Sequence, residues 1–147
     1  MSIWHRAYTL AELERMCADT AVSHLDIHFT EIGDDYLTAT MPVDSRTVQP
    51  MRILHGGISC ALAETLASLA SNLVVNPDGF YAVGCEINAS HLRPATRGLV
   101  TGTARPIRLG SSQHVWEIKI ENEAGGLVCI SRMTNVIRRR RDAVERD

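Results

Sequence analysis

The chain has 147 residues, of which 45% are hydrophobic and 22% are charged, and its formal net charge is -2. This length and composition predict one globular domain with a single core and argue against a second folded domain. A charge balance so close to neutral excludes the basic surface typical of proteins that bind nucleic acid or a membrane.

The ends and the cysteines of the chain narrow the class of protein further. The start, Met1-Ser2-Ile3-Trp4-His5-Arg6, has no apolar signal core, and no window holds the roughly 18 uninterrupted apolar residues of a membrane span. We therefore expect a cytoplasmic protein. The four cysteines are widely separated, without C-x-x-C spacing, and each lies in an apolar context, which predicts free thiols, no disulfide and no metal site: Cys17, Cys60, Cys85 and Cys129.

The first predicted elements are a short helix and a hairpin. Thr9-Leu10-Ala11-Glu12 is a capping box followed by apolar residues at helical spacing, which predicts an amphipathic helix over residues 10 to 18. Residues 25 to 32 and 36 to 43 are rich in alternating and β-branched positions around Gly33-Asp34-Asp35. This pattern predicts an antiparallel hairpin.

A second, longer helix begins directly after His55-Gly56-Gly57 and is expected to end before Asn76-Pro77-Asp78-Gly79. At helical period it has no wide polar face, so we expect a sheet or a partner to wrap it and Glu64, at its middle, to be buried. Burying an ionised carboxylate without partners is costly or raises its pKa, which favours a catalytic or binding role for Glu64. The alternative is a neutral or salt-bridged residue that fixes the position of the helix.

Four further strands are predicted at residues 80 to 92, 98 to 109, 113 to 121 and 127 to 137. The short connections between them predict an antiparallel meander. Together with the hairpin they give an α+β fold, a curled antiparallel sheet of about six strands around one central helix, plus the short N-terminal helix.

The C-terminal residues 138 to 147 carry a run of arginines, Arg138-Arg139-Arg140-Arg141. A charge run beside a terminus is typical of a solvated extension, so we predict a basic, mobile tail outside a single domain of residues 1 to 137. Contact of these arginines with an anionic ligand is the alternative interpretation.

Several motifs around the long helix occur together. They are Met41-Pro42-Val43-Asp44-Ser45-Arg46-Thr47, Gln49-Pro50, His55-Gly56-Gly57, Ala63-Glu64-Thr65 with Ser68, Val83-Gly84-Cys85-Glu86-Ile87-Asn88-Ala89 and His91-Leu92-Arg93-Pro94. In this combination the chain resembles the hotdog-fold acyl-CoA thioesterases of the 4-hydroxybenzoyl-CoA thioesterase and phenylacetate-pathway type. Within that family it resembles the bacterial 1,4-dihydroxy-2-naphthoyl-CoA thioesterase of menaquinone synthesis and the proofreading thioesterase of enterobactin synthesis.

The resemblance covers most of the chain and has consequences for fold and function. It implies a hotdog fold and hydrolysis of acyl-CoA thioesters, with an aryl-CoA such as 1,4-dihydroxy-2-naphthoyl-CoA or a hydroxybenzoyl-CoA as substrate. It implies no cofactor, because CoA belongs to the substrate. It also implies a homodimer with shared active sites, in which the carboxylate helix of one subunit faces the histidine loop of the other, and two dimers in a homotetramer.

Thioester hydrolysis needs an attacking group, a polarised carbonyl and a place for the thiolate to leave. Glu64 fits the attacking role, either as a nucleophile that gives a mixed anhydride or as a base that deprotonates water, and the sequence leaves both open. Gly56 opens a helix whose free N–H groups and positive dipole end can hold the carbonyl oxygen as charge develops on it.

Three more residues complete the predicted catalytic set. The resemblance implies that Gln49 positions water or substrate and that His55 orients the carbonyl or the neighbouring loop backbone. Ser68 follows Glu64 by one helical turn, on the same face, where it can hydrogen-bond the carboxylate or the water. The alternatives are that Gln49 and His55 satisfy loop backbone groups and that Ser68 is a small packing residue.

The phosphates of CoA call for cations and backbone donors at the mouth of the site. The candidates for substrate binding are His91, Arg93, Arg105, Arg108, Gly110 and Ser111. A solvated strand surface is the alternative for these arginines. The same positive patch suits an acyl carrier protein, so carrier-bound acyl groups are the alternative substrate class. A hotdog dehydratase and a non-catalytic acyl-CoA binder are two further interpretations of the same fold.

Overall fold

The computed structural model of the chain describes residues 1 to 140. Its helices are α1 (Leu10–Cys17), α2 (Ala21–His24) and α3 (Gly56–Val74), and its strands are β1 (His28–Ile32), β2 (Leu37–Pro42), β3 (Phe80–His91), β4 (Leu99–Leu109), β5 (Gln113–Asn122) and β6 (Leu127–Arg139). The predicted elements are present with small shifts at their ends. The largest shift is at residues 25 to 27, which were predicted as strand but precede β1. They follow an additional short helix, α2, which Thr20 caps.

The six strands form one antiparallel sheet in the order β1-β2-β4-β5-β6-β3. The α+β prediction of about six strands around one helix is confirmed. The predicted meander through all four C-terminal strands is wrong at its first step, because β3 pairs with β6 at the far edge of the sheet and not with β4. Residues 92 to 98, with Pro94 among them, form an irregular connection longer than a hairpin turn, which lets the chain cross between the two strands.

The helix α3 lies against the sheet as the central helix of the domain. Eight of its residues are buried, among them Leu62, Leu66 and Leu73. It approaches β4 closely at Gly102, where a β-carbon would come within 2.6 Å of Leu66 Cδ1. By length and composition α3 is apolar enough to cross a membrane, but its burial against the sheet identifies it as a core helix.

The N-terminal segment covers one side of this core. The predicted capping box of α1 is present, with reciprocal bonds between Thr9 and Glu12. Leu13 is fully buried, and the Trp4 ring stacks on Trp116 with ring centroids 6.5 Å apart. The helix α1 therefore packs its apolar face on the core, as its amphipathic pattern predicts.

The last strand extends beyond its predicted end at residue 137. Arg138 and Arg139 pair with Tyr81 and Phe80 in the β3–β6 ladder, and the Arg140 N–H donates to the Gly79 carbonyl at 2.9 Å. The first three residues of the predicted basic tail thus follow the edge of the sheet, because the ladder with β3 continues to the start of that strand. The rest of that tail, residues 141 to 147, lies outside the described residues.

Candidate active site

The loop between β2 and α3 folds back on itself and fixes Gln49. Val48 and Leu54 form an isolated β-bridge, and the Gln49 N–H donates to the Ile53 carbonyl at 2.9 Å. The side-chain Oε1 of Gln49 accepts from the Met51 N–H at 2.9 Å. Because an amide oxygen only accepts hydrogen bonds, the NH2 end of Gln49 is the end that can donate to a water or a substrate.

The N-terminus of α3 begins at Gly56, with His55 as its N-cap. The His55 Nδ1 accepts from the Gly57 N–H at 2.9 Å, so the ring proton is carried by Nε2. The His55 carbonyl accepts from Ile58 and Ser59, both at 3.0 Å. The Gly56 N–H has no acceptor within residues 1 to 140, and it is a free donor at the positive end of the helix. This arrangement can stabilise a negatively charged oxygen.

His91, at the end of β3, lies directly over this helix start. A β-carbon at Gly56 would be 2.7 Å from the His91 Nε2, so the approach of the two residues depends on the glycine. A pocket of about 420 Å³ opens here, and its lining includes Gln49, Gly56, His91 and Arg93. Four predicted site residues from three segments of the chain therefore meet at one pocket.

Glu64 lies elsewhere, and the sheet of its own protomer does not bury it as predicted. Its side chain is exposed, because β3 is the edge of the sheet and no strand covers that flank of α3. It lines a separate pocket of about 140 Å³ together with β3 residues and Met133. Gly56 and Glu64 are eight positions apart on the helix, which corresponds to about 12 Å at a rise of 1.5 Å per residue. Within one protomer the carboxylate and the free Gly56 N–H are thus separated.

The strand beside Glu64 is irregular. The β3–β6 register shifts between Gly84 and Glu86, which marks a β-bulge. A β-carbon at Gly84 would lie 2.8 Å from the Glu64 Oε1 and 2.6 Å from the Met133 Cε. The glycine therefore makes the space that the carboxylate occupies. Sequence reasoning assigned Gly84 no role, although a glycine inside a predicted strand indicates a bulge or a close approach.

Ser68 is half-buried and makes no hydrogen bond to Glu64 in this structure. Its hydroxyl donates to the Oδ1 of Asn135 at 3.3 Å. Asn135 lies on β6 and is fully buried. Sequence reasoning missed Asn135; its one signal is a polar residue at an inward-facing position of a strand.

Two thiols, on α3 and on β6, do not suit nucleophilic attack: Cys60 is half-buried and Cys129 is buried. Burial raises the pKa of Cys60, and the negative charge of Glu64 adds to the effect. Burial raises the pKa of Cys129 to about 11. Since the thiolate is the reactive form of cysteine, both groups stay protonated at neutral pH and Glu64 remains the candidate for the attacking group.

The remaining predicted substrate-binding residues do not line either pocket. Arg105 donates to Asp35 at 2.7 Å and lies over the Tyr36 ring, 4.3 Å from its centroid. Arg108, Gly110 and Ser111 lie at the turn between β4 and β5. That turn adjoins β6, because the Ile137 N–H donates to the Ser112 carbonyl at 2.9 Å.

Comparison with known proteins gives a consistent family. Residues 51 to 129 match the family model described as Thioesterase superfamily. The chain is 50% identical over 135 residues to the 1,4-dihydroxy-2-naphthoyl-CoA hydrolase of Escherichia coli strain K12, which covers 92% of this chain and 98% of that protein. It is 48% identical over 135 residues to the proofreading thioesterase EntH of Cronobacter turicensis, with 92% and 98% covered.

Solved structures agree with these relatives. The thioesterase HI1161 from Haemophilus influenzae superposes with a TM-score of 0.92 at 45% identity, covering 97% of this chain and 99% of that chain. The resemblance inferred from the sequence and the hotdog fold are confirmed, and the interpretations as a dehydratase or a non-catalytic binder are set aside. The chain belongs to the thioesterase superfamily, and it is a thioester hydrolase built on the hotdog fold.

Proposed function

We propose that this protein hydrolyses aryl-CoA thioesters in active sites that two protomers share. The substrate class rests on the similarity to a 1,4-dihydroxy-2-naphthoyl-CoA hydrolase and to a proofreading thioesterase. The shared site rests on one observation: the free Gly56 N–H and the Glu64 carboxylate line different pockets of the same protomer. Each protomer holds half of the machinery at either pocket, and a second copy supplies the other half.

The edge strand β3 supports a specific way of joining two copies. Glu64 lies beside Gly84 and Gly56 lies below His91, so both half-sites border the same strand. In this arrangement β3 pairs antiparallel with β3 of a second copy, about a two-fold axis between Ile87 and Asn88. Position 84 of one copy then lies opposite position 91 of the other. Glu64 of one protomer then faces Gly56 of the other, twice in each dimer.

The side chain of Asn72 supports a limit on how much of β3 is free to pair with a second copy. Its side-chain nitrogen donates to the Ala82 carbonyl at 3.1 Å, and its oxygen accepts from the Ala82 N–H at 2.9 Å. Both backbone groups of Ala82 therefore point away from β6 and are already occupied. The edge that remains for a partner strand runs from the bulge at Gly84 to His91, which is the segment that the two-fold arrangement uses.

The chemistry follows from this arrangement. The thioester carbonyl oxygen accepts the Gly56 N–H at the positive end of α3, which stabilises the negative charge that develops during attack. Glu64 of the other protomer acts on the carbonyl carbon, directly or through a water that it deprotonates. The Gln49 NH2 group donates to that water or to the substrate. The C–S bond breaks, and CoA leaves as the thiol.

The two-fold arrangement also suggests which residues contact the phosphates of CoA. Arg93 lines the pocket beside Gly56, where it can meet an anionic group. The β4–β5 turn adjoins β6 at Ile137, which pairs with Ala82 near the start of β3. In the two-fold dimer this end of β3 approaches the His91 end of the partner strand. Arg108, Gly110 and Ser111 therefore remain candidates for the pyrophosphate, whereas the ion pair with Asp35 argues against Arg105.

Two broader expectations rest on the resemblance. We expect two such dimers to associate as a homotetramer and the enzyme to be cytoplasmic. An acyl carrier protein is the alternative donor of the acyl group, since the catalytic residues would be the same.

Release of free thiol from a panel of thioesters tests the proposed activity. The panel contains benzoyl-, hydroxybenzoyl- and dihydroxynaphthoyl-CoA, short- and long-chain aliphatic acyl-CoAs, and an aryl group on a carrier protein, each with wild type and Glu64→Gln. We expect the highest kcat/KM on the aryl-CoAs and its loss in the variant. Preference for aliphatic chains or for the carrier protein would contradict the substrate class, and a wild-type rate in Glu64→Gln would contradict the mechanism.

A further inference from the structure

A buried amide on β6 holds the helix α3 one turn beyond Glu64. The Asn135 side chain is fully buried, and it bonds two consecutive residues of α3. Its Nδ2 donates to the Ala67 carbonyl and its Oδ1 accepts from the Ser68 hydroxyl, both at 3.3 Å. No part of the mechanism described above uses this residue.

The chemistry of the Ala67 carbonyl fixes the orientation of the amide. A carbonyl oxygen only accepts hydrogen bonds, so the NH2 end of Asn135 must face Ala67 and the oxygen end must face Ser68. An amide oxygen also only accepts. The Ser68 hydroxyl has a single hydrogen, and that hydrogen is committed to Asn135. Toward its other neighbours, the Ser68 oxygen can therefore only accept hydrogen bonds.

This commitment restricts what Ser68 can do beside Glu64. The two residues are four positions apart and lie on the same face of the helix. A hydroxyl that has already donated its hydrogen cannot donate to the Glu64 carboxylate, but it can accept an O–H of a water. A water between them has two hydrogens, one for Glu64 and one for Ser68, which leaves a lone pair of its oxygen free for attack.

We propose that Asn135 is a positioning residue that turns Ser68 into the acceptor which holds the attacking water. This inference rests on the proposed function, because it assigns Glu64 the role of base. The water oxygen bonds to the thioester carbon while one water proton passes to Glu64. The C–S bond then breaks, and the proton passes from Glu64 to the departing thiolate, which gives one carboxylic acid and one thiol.

Without Asn135 the hydroxyl has different acceptors for its hydrogen. A serine inside a helix donates readily to the carbonyl four residues earlier, which here is the carbonyl of Glu64. The Glu64 carboxylate is a second acceptor within one turn. Either change alters the direction of the Ser68 lone pairs while the fold stays the same, so the expected effect is on kcat and not on KM.

The test compares three variants of the full-length enzyme on its preferred thioester. Asn135→Leu keeps the branched shape of asparagine but has no hydrogen-bonding group, and we expect it to lower kcat about five- to tenfold, as for the loss of one ordinary hydrogen bond, with KM unchanged. In a Ser68→Ala background the same substitution should have no further effect on kcat, since its target is gone. Asn135→Asp is neutral when buried and keeps both an acceptor for Ser68 and an O–H donor for Ala67, so its kcat should stay close to wild type.

A matched control separates positioning from mere packing. Trp116 Nε1 donates to the Ser71 hydroxyl at 2.7 Å, which is another buried side-chain bond between α3 and the sheet, one turn further from Glu64. Ser71→Ala should lower the melting temperature and leave kcat unchanged.

Three results would overturn the inference: full additivity of Asn135→Leu with Ser68→Ala, a loss in Asn135→Asp as large as in Asn135→Leu, or an equal loss of kcat in Ser71→Ala. An inactive Glu64→Gln together with a wild-type kcat in Asn135→Leu would overturn this inference alone. A wild-type rate in Glu64→Gln would overturn the proposed function as well. Should Asn135→Leu fail to fold, Asn135→Ala, which also lacks a hydrogen-bonding group, takes its place in the same comparison with Ser68→Ala and Asn135→Asp, and the same results decide.

Discussion

Glu64 lies against Gly84 so closely that a β-carbon on the glycine would be 2.8 Å from the carboxylate oxygen Oε1. The carboxylate therefore lies against the backbone of an edge strand, at a bulge, in a pocket that Met133 also lines. The position of the proposed attacking group depends on the absence of a side chain at Gly84. This contact explains how an exposed glutamate keeps a defined place beside the β3 edge of the sheet.

Replacing Gly84 by alanine should displace the carboxylate. The added methyl group meets both Glu64 and Met133, and a misplacement of about 1 Å can cost about 100-fold in rate. We expect a loss of kcat of that order with the fold intact, measured by thiol release and circular dichroism. Gly79→Ala is the matched control, because a β-carbon there has nothing within 4 Å. Equal activity of the two variants would show that this contact does not position Glu64.

Gly56→Ala should disable the other half of the site. The new methyl group would lie 2.7 Å from the His91 Nε2, at the place where the free N–H faces the pocket. Loss of one oxyanion donor costs about 100- to 1,000-fold in kcat in other hydrolases, and we expect a decrease toward that range. The double variant Gly56→Ala/His91→Ala separates two causes. Recovery of activity in it would show that collision with His91, and not obstruction of the N–H, caused the loss.

His55 has a structural role that can be measured apart from catalysis. Its ring caps α3 through the bond to the Gly57 N–H. His55→Ala should reduce the free energy of unfolding by about 1 kcal/mol, as for loss of an N-cap, whereas His55→Asn should retain most of it because asparagine is a good cap. Urea denaturation of the three proteins checks this. An asparagine variant as unstable as the alanine variant would mean that the ring stabilises the loop by other contacts.

His114 should weaken the fold at acidic pH. Burial lowers the pKa of His114 below its ordinary value of 6.5, and the Nδ1 atom has no partner within residues 1 to 140. Below about pH 6.5 this residue is protonated in the unfolded chain more readily than in the folded chain, so protonation favours unfolding. The stability contribution is therefore complete above that pH and falls as the pH decreases. His114→Phe should flatten the acid limb of stability measured by urea denaturation, and an unchanged slope would contradict this assignment.

His28 should affect the pH dependence of stability in the opposite direction to His114. Its hydrogen bonds to Asp26 and Glu14 raise the pKa of His28, so its contribution is present at low pH and is lost as the pH rises through the folded-state pKa. The side chain is 58% exposed, so solvent screening keeps the contribution small. His28→Gln should therefore leave the acid limb nearly unchanged.

Local features of the fold were predictable from the sequence, and features that depend on distant strands were not. The capping box at Thr9 and the boundaries of α3 follow from neighbouring residues, and both are confirmed. The pairing of β3 with β6 is not encoded in the turns around it. The exposure of Glu64 follows from that pairing, since it leaves one flank of α3 uncovered.

The site was predictable to the same extent. The motif at His55-Gly56-Gly57 identified the helix start and its free donor, because capping is a local property. The roles of Gly84 and Asn135 depend on which strand lies beside Glu64 and Ser68, and a single sequence contains no signal for that contact. The division of the site between two subunits was expected from the resemblance, and the placement of Gly56 and Glu64 in two different pockets adds a structural argument for it.

The most direct test of the central claim is activity in a purified heterodimer of Glu64→Gln and Gly56→Ala chains, isolated with two different affinity tags. Each homodimer should lose at least about 100-fold in kcat. A site shared across the two-fold axis leaves one site intact in the heterodimer, so we expect about half of the wild-type rate. In the matched control both substitutions are on one chain and the partner is wild type, and this heterodimer should be inactive because each site carries one defect. The reverse outcome is an inactive first heterodimer together with a half-active control. It would contradict the shared site and assign catalysis to single protomers.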